Sequence, residues 1–211
     1  MRYTAASRSK RATVPAARRG SVAPNAITER RVAVAASSVR VASELPSLLI
    51  LGIDPGSRHT GWGILRWQGD DQRLVADGRL SAPTGLALAA RLAGLAREID
   101  GLVERFGPDA AAVETPYYGM NPRSLIVLAQ ARGAILAALA SRGLPVLEYS
   151  PAEVKTAIAG NGRAEKTEVA RMVRRLLRLG EEERAADTTD AIAIALCCAR
   201  RFKMDHLRAG V

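Results

Sequence analysis

The sequence predicts an α/β fold, a mixed five-stranded sheet flanked by helices. Three observations carry this expectation. Strand-like segments first follow one another without an intervening helix, as antiparallel neighbours do. Short aliphatic runs then alternate with helical periods, the pattern of parallel strands joined by crossovers. Finally, the 211 residues are 48 % hydrophobic and 25 % charged, enough apolar surface for one packed core.

The elements follow in chain order. Leu48 to Ile53 is an aliphatic run that reads as a buried strand and stops at the turn Asp54-Pro55-Gly56. Gly61 to Trp67 and Leu74 to Ala82 read as strands around a hairpin turn at Gln68-Gly69-Asp70-Asp71. From Leu86 to Phe106 apolar residues recur at helical spacing (Leu88, Leu92, Leu95, Ile99, Leu102, Val103) until Gly107-Pro108 ends them. Ala110 to Val113 is a short strand running into Glu114. Asn121 then caps a helix with Pro122 at its first position, and Leu125 to Leu139 gives its apolar face up to Gly143. Val146 to Tyr149 forms the fifth strand, closed by Ser150-Pro151. Three helices complete the chain: Ala152 to Ala159, Glu165 to Leu179 after a Gly160-Asn161-Gly162 break, and Thr188 to Phe202.

Charge divides the chain unevenly. The net charge is +10, yet residues 1–46 hold nine basic and two acidic side chains, a net +7, and the rest carries only +3. This first segment is built from Ala, Ser, Arg and Val without a sustained apolar period, and reads as a disordered basic extension preceding a domain at 47–205 and a short tail at 206–211. It fits an organelle transit peptide, a basic arm that attracts phosphate, or upstream sequence included by an early start. Two adjacent cysteines, Cys197 and Cys198, can neither staple a fold nor form a spaced zinc knuckle, so an intracellular, reducing address is expected, cytoplasmic, or organellar if the extension is a transit peptide. Arg132 and Asp190 interrupt the longest apolar runs, which reads against a membrane span.

Four acids follow apolar segments, where a carboxylate is expensive to desolvate. Asp54 ends the first strand and Glu114 the fourth; Asp187 and Asp190, three apart, project from one face of the last helix. If the first and fourth strands are neighbours, the four converge. Two like charges about 4 Å apart repel by roughly 4 kcal/mol at an effective dielectric of 20. Two Mg²⁺ or Mn²⁺ ions would balance the four acids, and oxygen-only donors suit these hard ions better than zinc. Taken singly, Asp54 also fits a turn former, Glu114 a solvated strand end, and the Asp187/Asp190 pair a complement to the helix dipole.

Leu51-Gly52-Ile53-Asp54-Pro55-Gly56-Ser57-Arg58, Ala112-Val113-Glu114, Leu128-Ala129-Gln130-Ala131-Arg132-Gly133 and Ala186-Asp187-Thr188-Thr189-Asp190-Ala191 together resemble the RuvC family of Holliday junction resolvases, in order and at family-like spacing from about Leu49 to Phe202. The resemblance implies an RNase H-like fold, a homodimer, and metal-dependent nicking of two opposed strands of a four-way DNA junction that leaves 5′-phosphate ends. It implies that Asp54, Glu114, Asp187 and Asp190 are the catalytic metal-binding set, two Mg²⁺ (or Mn²⁺) per active site, with some family members carrying His in place of Asp187. RuvA and RuvB branch-migration proteins are the partners it implies. Tyr117 stands where the family often has a base-stacking Phe, and Lys155 and Lys166 match two family lysines.

The loop Gly160-Asn161-Gly162-Arg163 between those lysines is flexible and basic, suited to phosphates, so Arg163 joins Tyr117, Lys155 and Lys166 as a DNA-binding candidate. Tyr117 and Tyr118 equally fit packing beneath their loop, and the lysines fit a solvated surface. Arg171, Arg174, Arg175 and Arg178 form a basic stripe that either follows DNA or solvates an amphipathic helix. Small residues on the Asn121 to Leu139 helix permit close packing, against the sheet or in a dimer. Other functions that fit are an RNase H-like nuclease acting on RNA or RNA–DNA hybrid and a noncatalytic nucleic-acid-binding module. The intact acids argue against the module, since bare carboxylates repel phosphate. An actin-like or sugar-kinase ATPase needs two such domains, and this chain has room for one.

Overall fold

The computed structural model describes residues 47–56, 58–81, 85–116 and 121–208. The proposed extension at 1–46 and both Tyr117 and Tyr118 lie outside the described residues. Five strands, β1 (Leu48–Asp54), β2 (His59–Gln68), β3 (Asp71–Ser81), β4 (Ala110–Glu114) and β5 (Val146–Tyr149), form one sheet in the order β3-β2-β1-β4-β5. The helices are α1 (Leu88–Phe106), α2 (Pro122–Ser141), α3 (Pro151–Ala159), α4 (Lys166–Leu177) and α5 (Ala186–Arg208). β1 runs antiparallel to β2 and parallel to β4, and β4 runs parallel to β5. The mixed five-stranded architecture expected from the sequence is the one observed.

Boundaries shift where pairing or packing extends an element. The β2–β3 ladder runs from His59↔Ser81 to Gln68↔Asp71, so the hairpin turn contracts to Gly69-Asp70, with Gly69 at a positive φ of 61° that suits a two-residue turn. α5 begins at Ala186, two residues before the sequence pattern placed it, and continues past residue 205 to Arg208. Its early start puts Asp187 in the first helical turn.

The alternation of strand side chains makes two core layers. Leu51, Ile53, Ala111 and Val113 pack with Ile99 and Leu102 of α1 and Ile135 and Leu139 of α2. On the other face Ile50, Leu65, Trp67 and Ala112 pack with α3, α4 and α5. Residues 191–199 of α5 (Ala-Ile-Ala-Ile-Ala-Leu-Cys-Cys-Ala) are all buried, since the sheet covers one side of this helix and α3 and α4 the other. The two cysteines are therefore small core residues, with burial pushing both thiols up to about 12.

α2 corrects one expectation and leaves another open. Its 20 residues include an 18-residue window of mean hydropathy 1.6, long and apolar enough by composition to cross a membrane despite Arg132. Only Ala131, Ile135 and Leu139 are buried; Ala134 and Ala138 are half-buried, while Ala129, Gly133 and Ala137 are exposed. Packing on the sheet thus accounts for one side of the small residues and leaves another side open.

α3 starts from a full capping box. The Ser150 hydroxyl accepts from the Glu153 backbone N–H, and the Glu153 carboxylate accepts from the Ser150 N–H at 2.8 Å. Ser150→Ala is expected to lower the unfolding free energy by about 1 kcal/mol in a urea titration.

Candidate metal centre and active site

The parallel register Ile53↔Val113 sets the C-terminal residues of β1 and β4, Asp54 and Glu114, side by side. Both belong to the sheet face that α5 covers, because their neighbours Ile53 and Val113 point to the opposite core. α5 can come close because the strands beneath it carry glycines. A Cβ on Gly52 would meet the Ala191 carbonyl oxygen at 2.1 Å, and one on Gly61 the Asp187 carbonyl oxygen at 1.8 Å. Gly61 is the register partner of Asp54, so this contact point also fixes Asp187 relative to Asp54. The start of α5 is tied to β3 as well: Thr188 Oγ1 donates to the Gly78 carbonyl at 3.1 Å, and Arg184 Nε pairs with Asp77 Oδ2 at 3.1 Å.

The ends of β1 and β4 and the start of α5 lie close enough for Glu114, Asp190 and Asp187 to act on the titration of Asp54. Asp54 is pushed up to about 8, first by burial, then by the charges of Glu114, Asp190 and Asp187, with Lys166 acting the other way. Glu114 is pushed up to about 7 by burial and by Asp190, offset by Lys166 and Lys155. Lys166, the first residue of α4, donates from Nζ to Asp190 Oδ2 at 2.7 Å, and this bond raises its own pKa. Its ammonium is the local counter-charge, too small by itself to neutralise four acids.

Two cavities open beside the cluster. One of about 360 Å³ is lined by Asp54, Gly56, Glu114, Arg132 and Lys166, the other, about 560 Å³, by Glu114, Lys155, Gly162, Lys166 and Asp190. Lys155 and Lys166 thus stand at the site, while Arg163 is exposed on the α3–α4 connection, its backbone N–H donating to Asn161 Oδ1 at 3.0 Å. The arginines 171, 174, 175 and 178 are all exposed. His59 pairs with Ser81 Oγ at 3.1 Å, away from any cluster of metal-ligand type.

Among the described residues no three His, Cys, Asp or Glu side chains are closed on a common point. The donor set nevertheless fits a hard divalent ion: oxygen donors without Cys or His, and two carboxyls, Asp54 and Glu114, pushed up to about 8 and about 7 by burial and by the acids beside them. Sequence reasoning found the acids but not the glycine slot or the place of Arg132. Glycines inside strand patterns signal close backbone approach, and that signal was available at Gly52, Gly61 and Gly63.

A mixed sheet of this order, with acids at the ends of its adjacent parallel strands and in the first turns of the helix laid across them, defines a metal-dependent nuclease of RNase H-like fold. The family profile described as crossover junction endodeoxyribonuclease RuvC matches residues 50–198, and the chain belongs to that family of enzymes. RuvC of Hyphomonas neptunium is 42 % identical over 162 residues, 76 % of this chain and 96 % of the relative. RuvC of Alkalilimnicola ehrlichii is 48 % identical over 148 residues, 70 % of this chain and 88 % of the relative. Among solved structures, T. thermophilus RuvC in complex with Holliday junction substrate superposes with a TM-score of 0.71 at 34 % identity, covering 75 % of this chain and 96 % of that one. The yeast mitochondrial Holliday junction resolvase Ydc2, with a TM-score of 0.59 at 16 % identity over 80 % of this chain and 85 % of that one, shares the fold.

Proposed function

We propose that this endonuclease resolves four-way DNA junctions by paired nicks in opposed strands, with Asp54, Glu114, Asp187 and Asp190 holding two Mg²⁺, or Mn²⁺, in each active site. The observation that carries the reading is the placement of these four acids, two at the neighbouring ends of β1 and β4 and two in the first turns of the helix packed across them. Bound there, two divalent ions supply an activated water and stabilise the leaving oxygen of an in-line phosphodiester displacement. The chain's own part is to hold the acids on strand ends and a helix, to exclude water on the Asp54 side, and to bring Lys155 and Lys166 against the non-bridging oxygens of the scissile strand. Arg163 and Tyr117 complete the DNA contacts, the first on a phosphate, the second by stacking on an opened base.

Paired nicks need two sites related by a twofold axis, and the open side of α2 supplies a surface for a second copy. Ile126 is 60 % exposed there, in line with Ala129, Gly133, Ala137 and Ala140, small enough for two helices to approach closely. Ala137→Arg is expected to convert a dimer into a monomer in sedimentation experiments and to leave single nicks in place of paired ones. In this reading residues 47–205 act as the nuclease domain in the bacterial cytoplasm, with RuvA and RuvB as junction partners and residues 1–46 as an added basic segment.

The test compares Mg²⁺-dependent cleavage of a synthetic four-way junction, linear duplex and RNA–DNA hybrid. Selective cutting of the junction is expected. Equal cutting of all three would refute junction resolution, and preference for the hybrid would assign the RNA-directed alternative.

A further inference from the structure

The end of β4 lacks a hydrogen bond that its ladder should contain. The N–H of Ala111 donates to the Pro145 carbonyl at 2.9 Å and that of Thr115 to the Tyr149 carbonyl at 2.8 Å, so odd-numbered residues here face β5 and even-numbered ones face β1. With Ile53 opposite Val113, one further step of the parallel ladder would bring the N–H of residue 55 to the Glu114 carbonyl. Residue 55 is proline and has no N–H. A different donor is found there: Arg132 of α2 donates from Nε to the Glu114 carbonyl oxygen at 3.2 Å. The same guanidinium pairs through Nη2 with Glu148 Oε2 on β5, and its side chain is only 16 % exposed.

We infer that Arg132 is a positioning residue for the reaction: it replaces the ladder donor that Pro55 cannot supply, fixes the end of β4, and thereby sets the Glu114 carboxylate beside Asp54, with Glu148 holding the guanidinium in register. Nothing in the ladder itself does this. Free to tilt, the last peptide of β4 would swing the Glu114 side chain, whose distance from Asp54 decides whether the two can share an ion. The charge is suited to the task because a guanidinium offers several N–H groups in a fixed plane, so one residue can bind a carbonyl and a carboxylate at once. The inference rests on the reading of the four acids as a metal centre.

The experiment measures three quantities on the full chain: MnCl₂ binding by calorimetry without DNA, hydrogen exchange of the Glu114 and Thr115 amides without metal, and junction binding in EDTA. Arg132→Met is expected to weaken Mn²⁺ binding about tenfold, as loss of a partner orienting a ligand does. It should also speed exchange of both amides and leave junction binding within about twofold of wild type. Adding Pro55→Ala, which restores a backbone N–H at the ladder position, is expected to recover most of the exchange protection and part of the Mn²⁺ affinity. A purely packing role for Arg132 would show no such rescue. Unchanged Mn²⁺ binding and exchange with weakened junction binding would overturn the inference and make Arg132 a phosphate contact. If Asp54→Asn binds Mn²⁺ as wild type does, the metal-centre reading fails, while amide exchange still decides the place of Arg132. Should Arg132→Met not fold, Arg132→Lys and Glu148→Gln are compared by the same measurements, and the inference requires both to speed exchange.

Discussion

Asp54→Asn is expected to abolish junction cleavage, by at least about 10³-fold, and at the same time to stabilise the metal-free protein. The first effect follows from removing a carboxylate that would help hold the proposed ions, a loss of about 4 kcal/mol in transition-state stabilisation. The second follows from the titration of the site. The folded values of Asp54 and Glu114, about 8 and about 7, lie above their ordinary values of 3.8 and 4.5. Between these limits the native state binds more protons at these two groups than the unfolded chain does, so their contribution to stability is full below about pH 4 and is lost as pH rises through the folded values. The metal-free wild type should therefore lose at least about 3 kcal/mol between pH 5 and pH 9, roughly 6–12 °C in melting temperature. Added Mg²⁺ should restore it at high pH. In Asp54→Asn the loss should shrink, because the amide carries no charge to desolvate and no longer repels Glu114. Thermal melts of both proteins at pH 5 and pH 9, with and without Mg²⁺, check this. A pH-independent wild type would mean that the acids do not share a site.

The same physics explains what was legible in the sequence. Asp54 and Glu114 could be read because a carboxylate closing an aliphatic strand is conspicuous, and Asp187 and Asp190 because a spacing of three places them on one helical face. Their convergence needed one fact beyond the pattern, that β1 and β4 are neighbours. α2 was harder. It is apolar nearly all round, so periodicity could not say that Ala129, Gly133 and Ala137 stay exposed while Ala131 is buried. Arg132 was visible only as part of a motif, since its task depends on strand register and on the missing N–H of Pro55, neither of which a local window contains. Hairpin length failed for a similar reason: pairing of Gln68 with Asp71 drew both into the ladder and left Gly69 and Asp70 as the turn.

The glycine slot gives the second large effect. Gly61→Ala is expected to destabilise the fold by about 3 kcal/mol and to lower cleavage about 10²-fold, although no charged or polar group is removed. The added methyl would sit 1.8 Å from the Asp187 carbonyl oxygen and 2.2 Å from its carbon. Those atoms belong to the first turn of a helix whose other contacts are fixed by a fully buried run, by Thr188 on Gly78 and by Arg184 on Asp77. The helix must therefore lift at its N-terminal end, and Asp187 and Asp190 move away from Asp54 by a fraction of a turn's rise. Metal dependence should register this before substrate affinity does: the Mg²⁺ concentration for half-maximal cleavage rises, while junction binding in EDTA stays near that of wild type. Gly101→Ala is the control. Gly101 is exposed in the middle of α1 with nothing within 4 Å of an added Cβ, so the same methyl there is expected to stabilise by about 0.5–1 kcal/mol through helix propensity alone. Opposite signs at the two positions in urea denaturation would separate the close approach of α5 to β2 from any general effect of replacing glycine. A Gly61→Ala protein with wild-type stability and unaltered metal dependence would show that the helix does not need the slot to bring its acids to Asp54.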